Sequence, residues 1–512
     1  MDVARQVFVQ LRGAGERTVL REGPVSVSGR ELLALVSEAR AFLRNAGIGK
    51  GDRAVLLGEN SIRWVALDLA LAFEGVVVVP LYARQAPAEL AKMIRDCKPR
   101  LLLCDDPERL APVEKDLPAG ATVVRFAEAA AEGPVEEPHA PDPADLVRII
   151  YTSGTSGDAK GVCWNAANVD FMLPRTVERI DEVLRGVPEP HRAFHYLPCC
   201  FAGSWVLLQS CLLRGIELSF CTDLKKLGEE LRAANPHVML NVPLLLERIK
   251  SGIEEVIRGR GGFAQWLWRQ RWFARWTLYP AVRRQIAPAL RVLICGSAPL
   301  AEETQRFFMD LGIPVLQVYG LTETTAICTM DRPGQVEPGR VGRAVDGCTM
   351  EVDGNGEIRV RGPNVFPGYW GREPREGWLP TGDLGEADAG GNWKIIGRRK
   401  FVLVLASGHN VPPEPIEERL RLAVPGCSHV MVVGHGKKYL TALVAGSGVK
   451  REAVEAAVEA VNADAPHYRA IRRFHVADRA FTPDDGLLTA NGKLKRDAVA
   501  ARFAKEIAGM YA

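Results

Sequence analysis

Short β-branched and aliphatic runs alternate along most of this chain with stretches where apolar side chains return every three or four positions. Read this way, strands are predicted at 53–57, 75–80, 100–104, 146–151, 217–221, 238–241, 291–295 and 314–319, with helices such as 30–46 and 87–96 between them. Such alternation predicts α/β layering around largely parallel sheets. The most apolar stretch, 64–82, is interrupted by Asp68 and Glu74, so it reads as a core helix followed by a strand and not as a membrane span. Beyond about Gly354 the texture changes to shorter strands and turns, as at 356–362 and 392–396, which predicts a compact β-rich piece. From Phe401 a separate alternation begins: a helix at 413–422, a hairpin-like pair across 430–444 and a helix at 451–462. Residues 127–143, rich in Pro, Ala and Glu, read as an exposed connector.

Length and composition narrow this little. At 512 residues the chain is too long for one simple core. Its 47% hydrophobic and 25% charged content is that of a globular protein, and a net charge of +3 does not call for a polyanionic partner such as nucleic acid. Eleven cysteines are scattered without a Cys-x-x-Cys, which suits reduced, buried thiols better than a zinc site or a disulfide framework. The first residues have no apolar core behind a basic segment, so a signal peptide is not predicted and a cytoplasmic protein is expected.

Chemistry enters at Tyr151-Thr-Ser-Gly-Thr-Ser-Gly-Asp-Ala-Lys160-Gly161. This run follows an apolar strand, which places it at a carboxyl end, where open α/β sheets bind ligands. Thr152, Ser153, Thr155 and Ser156 offer hydroxyls, Gly154, Gly157 and Gly161 let backbone N–H groups close on an oxyanion, and Lys160 supplies a cation. A nucleotide phosphate is the natural ligand. The loop is not a Walker A motif, because Ala159 stands where that motif needs glycine and Gly161 where it needs Ser or Thr.

The run resembles the phosphate loop of the adenylate-forming superfamily of acyl-CoA synthetases, luciferases and peptide-synthetase adenylation domains. Further motifs of that family recur in order as Gly296-Ser297-Ala298-Pro-Leu300, Tyr319-Gly320-Leu-Thr322-Glu323-Thr324, Thr381-Gly-Asp383, Gly397-Arg398-Arg-Lys400 and Asn491-Gly-Lys493, covering nearly the whole chain. The resemblance implies an ATP site. Thr322 would bond the α-phosphate, and Glu323, a hard oxygen ligand, suits Mg2+ escorting the phosphates. Asp383 and Arg398 would hold the ribose, and Gly296 to Ala298 with Tyr319 the adenine. Lys493 matches the catalytic lysine that neutralises charge as a carboxylate attacks the α-phosphate. Lys495 and Arg496 beside it read as a solvated basic face. Lys400 matches the hinge, and Gly408 begins the loop presented for thioester formation. The implied architecture is α/β: a large N-terminal AMP-binding domain (1–398) of layered sheets and helices with a β-rich subdomain, a hinge at 399–400, and a small mobile α+β C-terminal domain (401–512).

The acid is less legible. At the place where amino-acid-activating relatives carry an aspartate for the substrate ammonium, this chain has Ala202, so an α-amino acid is not expected. Leu197-Pro198 and Phe201 to Gly203 resemble the acyl-pocket segment of acyl-CoA synthetases. Pro415, standing where most relatives carry glutamate, and the aromatic, arginine-bearing segment 262–279 lean towards the long-chain fatty acid branch. Trp268, Trp272, Trp276 and Tyr279 fall on one helical face beside Arg271 and Arg275, which suits either a helix packed on its own domain or a lipid-contacting gate on the inner membrane face. The expected reaction is carboxylate plus ATP giving acyl-adenylate and pyrophosphate, then transfer to coenzyme A. The alternatives are loading of an acyl carrier protein, an aryl or short-chain acid substrate, and a non-catalytic nucleotide-binding relative. Ala159, Trp164, Asn165 and Phe401 depart from the family pattern.

Overall fold

The computed structural model describes residues 2–152, 159–262, Trp266, Trp268, 278–463, 465–482, 485–489 and 492–512. Two compact units are present: a first comprising the chain to Met350 with Val360–Leu379 and Asp388–Trp393, and a second comprising Glu351–Arg359, Pro380–Ala387 and Lys394–Ala512.

In the first unit, runs such as Ala54–Leu57 and Leu101–Cys104 are buried throughout, as strands covered on both faces must be. They form a six-stranded sheet ordered Thr122–Arg125, Leu101–Cys104, Arg53–Gly58, Val77–Tyr82, Leu146–Thr152 and Lys160–Asn165, parallel except for the last strand. A nine-stranded sheet has a parallel centre running from Val315–Tyr319 through Val292–Cys295, Val238–Asn241, Arg192–His195 and Glu217–Phe220 to Thr18–Glu22, with antiparallel strands at both edges. Residues of both sheets meet in one core with the helices Val3–Ala14, Gly29–Asn45, Ile62–Phe73, Ala166–Leu184 and Ala202–Arg214.

Asp68 lies inside this core. Its carboxylate pairs with Arg148, accepts from Trp205 Nε1 at 2.8 Å, and lies under a guanidinium set 4.3 Å from the Trp205 ring centroid. Glu74 closes the same helix and binds Arg40 at 2.6 Å. The two charges that interrupt the apolar stretch are thus both paired, as buried charge requires. Among the described residues no helix is long and apolar enough to cross a membrane. The cysteines are free thiols, eight buried and three half-buried.

A four-stranded sheet, ordered Thr349–Val352, Glu357–Arg361, Leu379–Ala387 and Trp393–Arg398, supplies the β-rich piece expected after Gly354. In the second unit a three-stranded sheet pairs Cys427–Val433 antiparallel with Leu440–Gly446, which runs parallel to Ile471–Val476. Alternate side chains face opposite ways, as the period of two dictates. Val430, Val432, Ala442 and Val444 pack with helices Glu414–Ala423 and Arg451–Ala463, while Met431, Leu443 and Ala445 pack with Val499 and Met510 from the chain's last two helices.

Candidate active site

The predicted residues divide between the two units. In the first, Thr152 ends its strand and lies opposite Lys160, which starts the antiparallel edge strand. The glycine run therefore begins at a strand's carboxyl end and lies between two paired antiparallel strands in the sequence. Ser153, Gly154, Thr155, Ser156 and Gly157 fall outside the described residues.

Lys160 Nζ lies 5.4 Å from the ring centroid of Tyr369, and the Tyr369 hydroxyl donates to Glu323 Oε1 at 2.9 Å. Burial, then the charge of Glu323, holds that phenol above the usual tyrosine range. The Glu323 carbonyl accepts from Phe366 N at 2.9 Å, and Trp164 Nε1 donates to the Thr322 carbonyl at 2.8 Å. A cation, a phenol and a carboxylate thus stand in sequence, with the Thr322–Thr324 turn fastened from two sides. Trp164 and Asn165, both departures from the family pattern, have structural roles: Trp164 is buried and holds the turn, and Asn165 caps the helix Ala166–Leu184 through a reciprocal bond with Asn168.

The backbone here is unusually shaped. Ser297, Thr325 and Ala326 adopt φ of 71°, 49° and 74°, a left-handed cluster of non-glycine residues of the kind found at functional sites. A Cβ at Gly320 would lie 2.2 Å from the Ala326 carbonyl oxygen, so the motif closes on itself only with glycine there. A Cβ at Gly296, the residue after the strand Val292–Cys295, would lie 2.7 Å from the Val318 side chain. Ser297 and Ala298 are exposed, and Tyr319 is half-buried.

Around the acyl segment, Asn60 accepts from Cys199 N at 2.7 Å and donates to the Leu197 carbonyl at 2.8 Å, bracketing the turn. Phe201 lies 5.5 Å from Tyr82, and Ala202 and Gly203 open the helix Ala202–Arg214. A Cβ built on Gly203 would meet nothing within 4 Å, so open space borders that residue. Trp268, from the aromatic segment, packs on Tyr279 at 5.1 Å and on Phe307 at 5.8 Å. Trp272, Trp276, Arg271 and Arg275 lie outside the described residues.

In the second unit Asp383 is 4% exposed and pairs with Arg398 Nε at 2.6 Å. Glu414 receives the Arg398 backbone N–H at 3.0 Å, fixing the end of that strand. Lys493 keeps an exposed surface, yet desolvation at its ammonium and then repulsion by Arg398 draw its pKa below the ordinary lysine value, with Asp383 opposing them. Lys400 sits 4.2 Å from the Phe401 ring centroid, and desolvation followed by Arg398 lowers its pKa to about 8. Phe401 takes the Arg496 guanidinium as well, at 4.6 Å, so one aromatic ring serves two cations. Gly408, at φ 81°, turns a tight hairpin closed by its N–H on the Leu405 carbonyl.

Arg496 corrects one expectation. It is not part of a solvated basic face but forms a two-pronged pair with the buried carboxylate of Glu417. Sequence reasoning also missed Tyr369 and Asn60: Tyr369 stands beside Trp370 between two glycines, and Asn60 in an ordinary helix-start cluster.

Comparison with known proteins gives a consistent result. The family described as AMP-binding enzyme matches residues 7–370, and the AMP-binding enzyme C-terminal domain matches residues 400–512. A long-chain-fatty-acid–CoA ligase of Mycobacterium bovis is 27% identical over 93% of this chain and 90% of its own length. One from Gallus gallus is 27% identical over 93% of this chain and 76% of its own. Among solved structures, o-succinylbenzoate CoA synthetase from Bacillus subtilis in complex with ATP and magnesium superposes with a TM-score of 0.78 at 22% identity, covering 96% of this chain and 98% of that one. An anthranilate CoA ligase in complex with anthranoyl-AMP gives 0.81 at 18% identity, covering 98% and 97%.

Proposed function

The chain belongs to the AMP-binding enzyme family, and from that premise we propose that it activates a long-chain fatty acid with ATP and passes the acyl group to coenzyme A. In the first half-reaction a carboxylate oxygen attacks the α-phosphorus of ATP, forming the mixed anhydride acyl-AMP and releasing pyrophosphate. In the second, the CoA thiol attacks the acyl carbon, its proton is lost, and AMP leaves. The observation that carries this reading is Lys493, a lysine with a lowered pKa beside the Asp383–Arg398 pair, in the order and spacing of the family's motifs.

Each group has work suited to its chemistry. Asp383 accepts the vicinal ribose hydroxyls while Arg398 holds its carboxylate in place. Lys493 neutralises charge growing on the α-phosphate. Lys160 and the Thr322 hydroxyl meet phosphate oxygens, and Gly296, Ser297, Ala298 and Tyr319 take the base. Glu323, a single carboxylate braced by a phenol, fits Mg2+, which prefers one or two carboxylates plus phosphate oxygens and water, and the bound ion supplies charge neutralisation to the phosphates. Phe201, Ala202 and the space at Gly203 line the acyl chain. Lys400 is assigned as the hinge residue between 1–398 and 401–512, and Gly408 serves the thioester step.

The long-chain acid and the CoA acceptor rest on the names borne by the sequence relatives. Assaying CoA against a phosphopantetheinylated carrier separates the two acceptors. Contact of the segment around Trp266, which is 53% exposed, with a bilayer belongs to the same proposal, since such acids partition into membranes. Absence of liposome flotation would refute that part. The main test is a pair of variants: Lys493→Ala abolishes acid-dependent pyrophosphate release, while Lys400→Ala chiefly slows thioester formation from supplied acyl-adenylate. Wild-type adenylation in Lys493→Ala would refute the assignment.

A further inference from the structure

Lys493 sits on a hairpin that is closed on itself. Its N–H donates to Thr489 Oγ1 at 3.1 Å, and its carbonyl accepts from Thr489 N at 2.8 Å. Gly492 N reaches the Thr489 carbonyl at 2.8 Å, and Lys495 N reaches the Leu487 carbonyl at 2.9 Å. These bonds tie its described residues to one another, but internal bonds cannot fix its direction. That requires contacts with the rest of the unit.

Leu487, Leu488 and Leu494 pack its stem on Met431 and Leu443, and two polar contacts flank Lys493, one to the strand Cys427–Val433 and one to Glu417, which is itself bonded to that strand. On one side, His429 Nε2 donates to the carbonyl oxygen of Gly492, the residue before Lys493, at 3.1 Å. The ring is held by Ser428 Oγ, 3.1 Å from Nδ1, and by stacking on Phe481 at 6.1 Å. With Nε2 donating to the carbonyl, the Ser428 hydroxyl, which also lies 3.1 Å from the Ala445 carbonyl oxygen, has one proton to give either to that carbonyl or to Nδ1 of a neutral imidazole. Burial lowers the His429 pKa and favours that neutral form.

On the other side, Arg496 puts both guanidinium nitrogens on Glu417, with Nη1 to Oε1 at 2.8 Å. Glu417 in turn accepts from Val432 N at 2.7 Å. The strand therefore holds the residue before the lysine directly and the residue three beyond it through Glu417.

We propose that His429 and the Glu417–Arg496 pair are positioning residues that aim Lys493 in the adenylation half-reaction. This rests on the function proposed above and goes beyond it, because neither anchor is among the residues assigned there to substrate. Loss of the His429 anchor should tilt the hairpin without unfolding the unit. A misplacement of about 1 Å at such a group costs up to about 100-fold in rate.

The test uses the full chain carrying His429→Ala, His429→Gln or Glu417→Gln, with two readouts: palmitate-dependent ATP–pyrophosphate exchange, and thioester formation from supplied palmitoyl-adenylate and CoA. The expected result is a fall of about 10- to 100-fold in exchange kcat for His429→Ala, with thioester formation within about twofold of wild type. The glutamine amide can donate to the Gly492 carbonyl, so His429→Gln should recover most of the exchange. Amide hydrogen exchange at 487–495 should quicken in His429→Ala and Glu417→Gln while the strand Leu440–Gly446 stays protected. Unchanged exchange in His429→Ala, an equal fall in both half-reactions, or no rescue by glutamine would overturn the proposal. A wild-type protein lacking acid-dependent exchange would overturn the functional reading itself, an outcome distinct from those.

Discussion

Replacing Tyr369 with phenylalanine removes the hydroxyl that bonds the Glu323 carboxylate and leaves the rest of its surroundings in place. The ring stays against Phe366, 4.8 Å away, and against Lys160. What is lost is the 2.9 Å bond to Oε1. A hydrogen bond to a charged group contributes about 1.5–3 kcal/mol, and because both residues are only half-buried, water recovers part of this, so the lower end applies. About 1.5 kcal/mol corresponds to roughly tenfold in rate if the bond orients Glu323 in the transition state. The assay is steady-state pyrophosphate release at saturating ATP and acid, titrated with Mg2+. The expected result is kcat lowered about tenfold and a higher Mg2+ requirement, with a melting temperature within a few degrees of wild type. Unchanged kcat and Mg2+ dependence would show that the phenol does not hold Glu323 for catalysis. A collapse of stability alongside activity would show that its role is structural.

Other outcomes follow from the same geometry. Asp68→Ala leaves the Arg148 cation buried without its partner and should cost about 3–5 kcal/mol in urea unfolding; a loss under about 1 kcal/mol would refute the account of that core. Asp331 is 2% exposed, and burial raises its pKa to about 7 despite a bond from Gln317 N. Because the folded pKa lies above the unfolded value, its stabilising contribution is fully present below about pH 4 and is lost as pH rises through 7. Asp331→Asn should therefore gain melting temperature over wild type at pH 8 relative to pH 5, and a pH-independent difference would contradict this. Gly203→Leu fills the open space beside the acyl segment and should shift the preferred acid to shorter chains, read from kcat/KM over a graded series, while an unchanged preference would place the acyl chain elsewhere.

Much of the layering was legible because parallel strands buried on both faces are written as continuous apolar runs. Strand 238–241 coincides with its prediction, and most others differ by one or two residues at an end. The edge strand Lys160–Asn165 was harder to see, since Lys160 and Gly161 at its start read as loop chemistry. At the site, the resemblance assigned Asp383 and Arg398 to the ribose and Lys493 to catalysis, while the ion pair between Asp383 and Arg398 is written in no motif or periodicity. Tyr369 was not suggested, because its partner lies 46 positions earlier and nothing local marks the hydroxyl as engaged. Arg496 was misread for a related reason. In a basic run the prior favours solvent, and only the fold reveals that Glu417, 79 positions away, is buried opposite it.

The central claim is acid-dependent adenylation followed by transfer to CoA. The most direct measurement follows pyrophosphate, AMP and acyl-CoA together over saturated fatty acids of graded chain length, with and without CoA. The account predicts pyrophosphate release that requires the acid, equimolar AMP and acyl-CoA when CoA is present, and highest kcat/KM with long-chain acids. Pyrophosphate release independent of acid, ADP as the nucleotide product, or no turnover with any acid would contradict it.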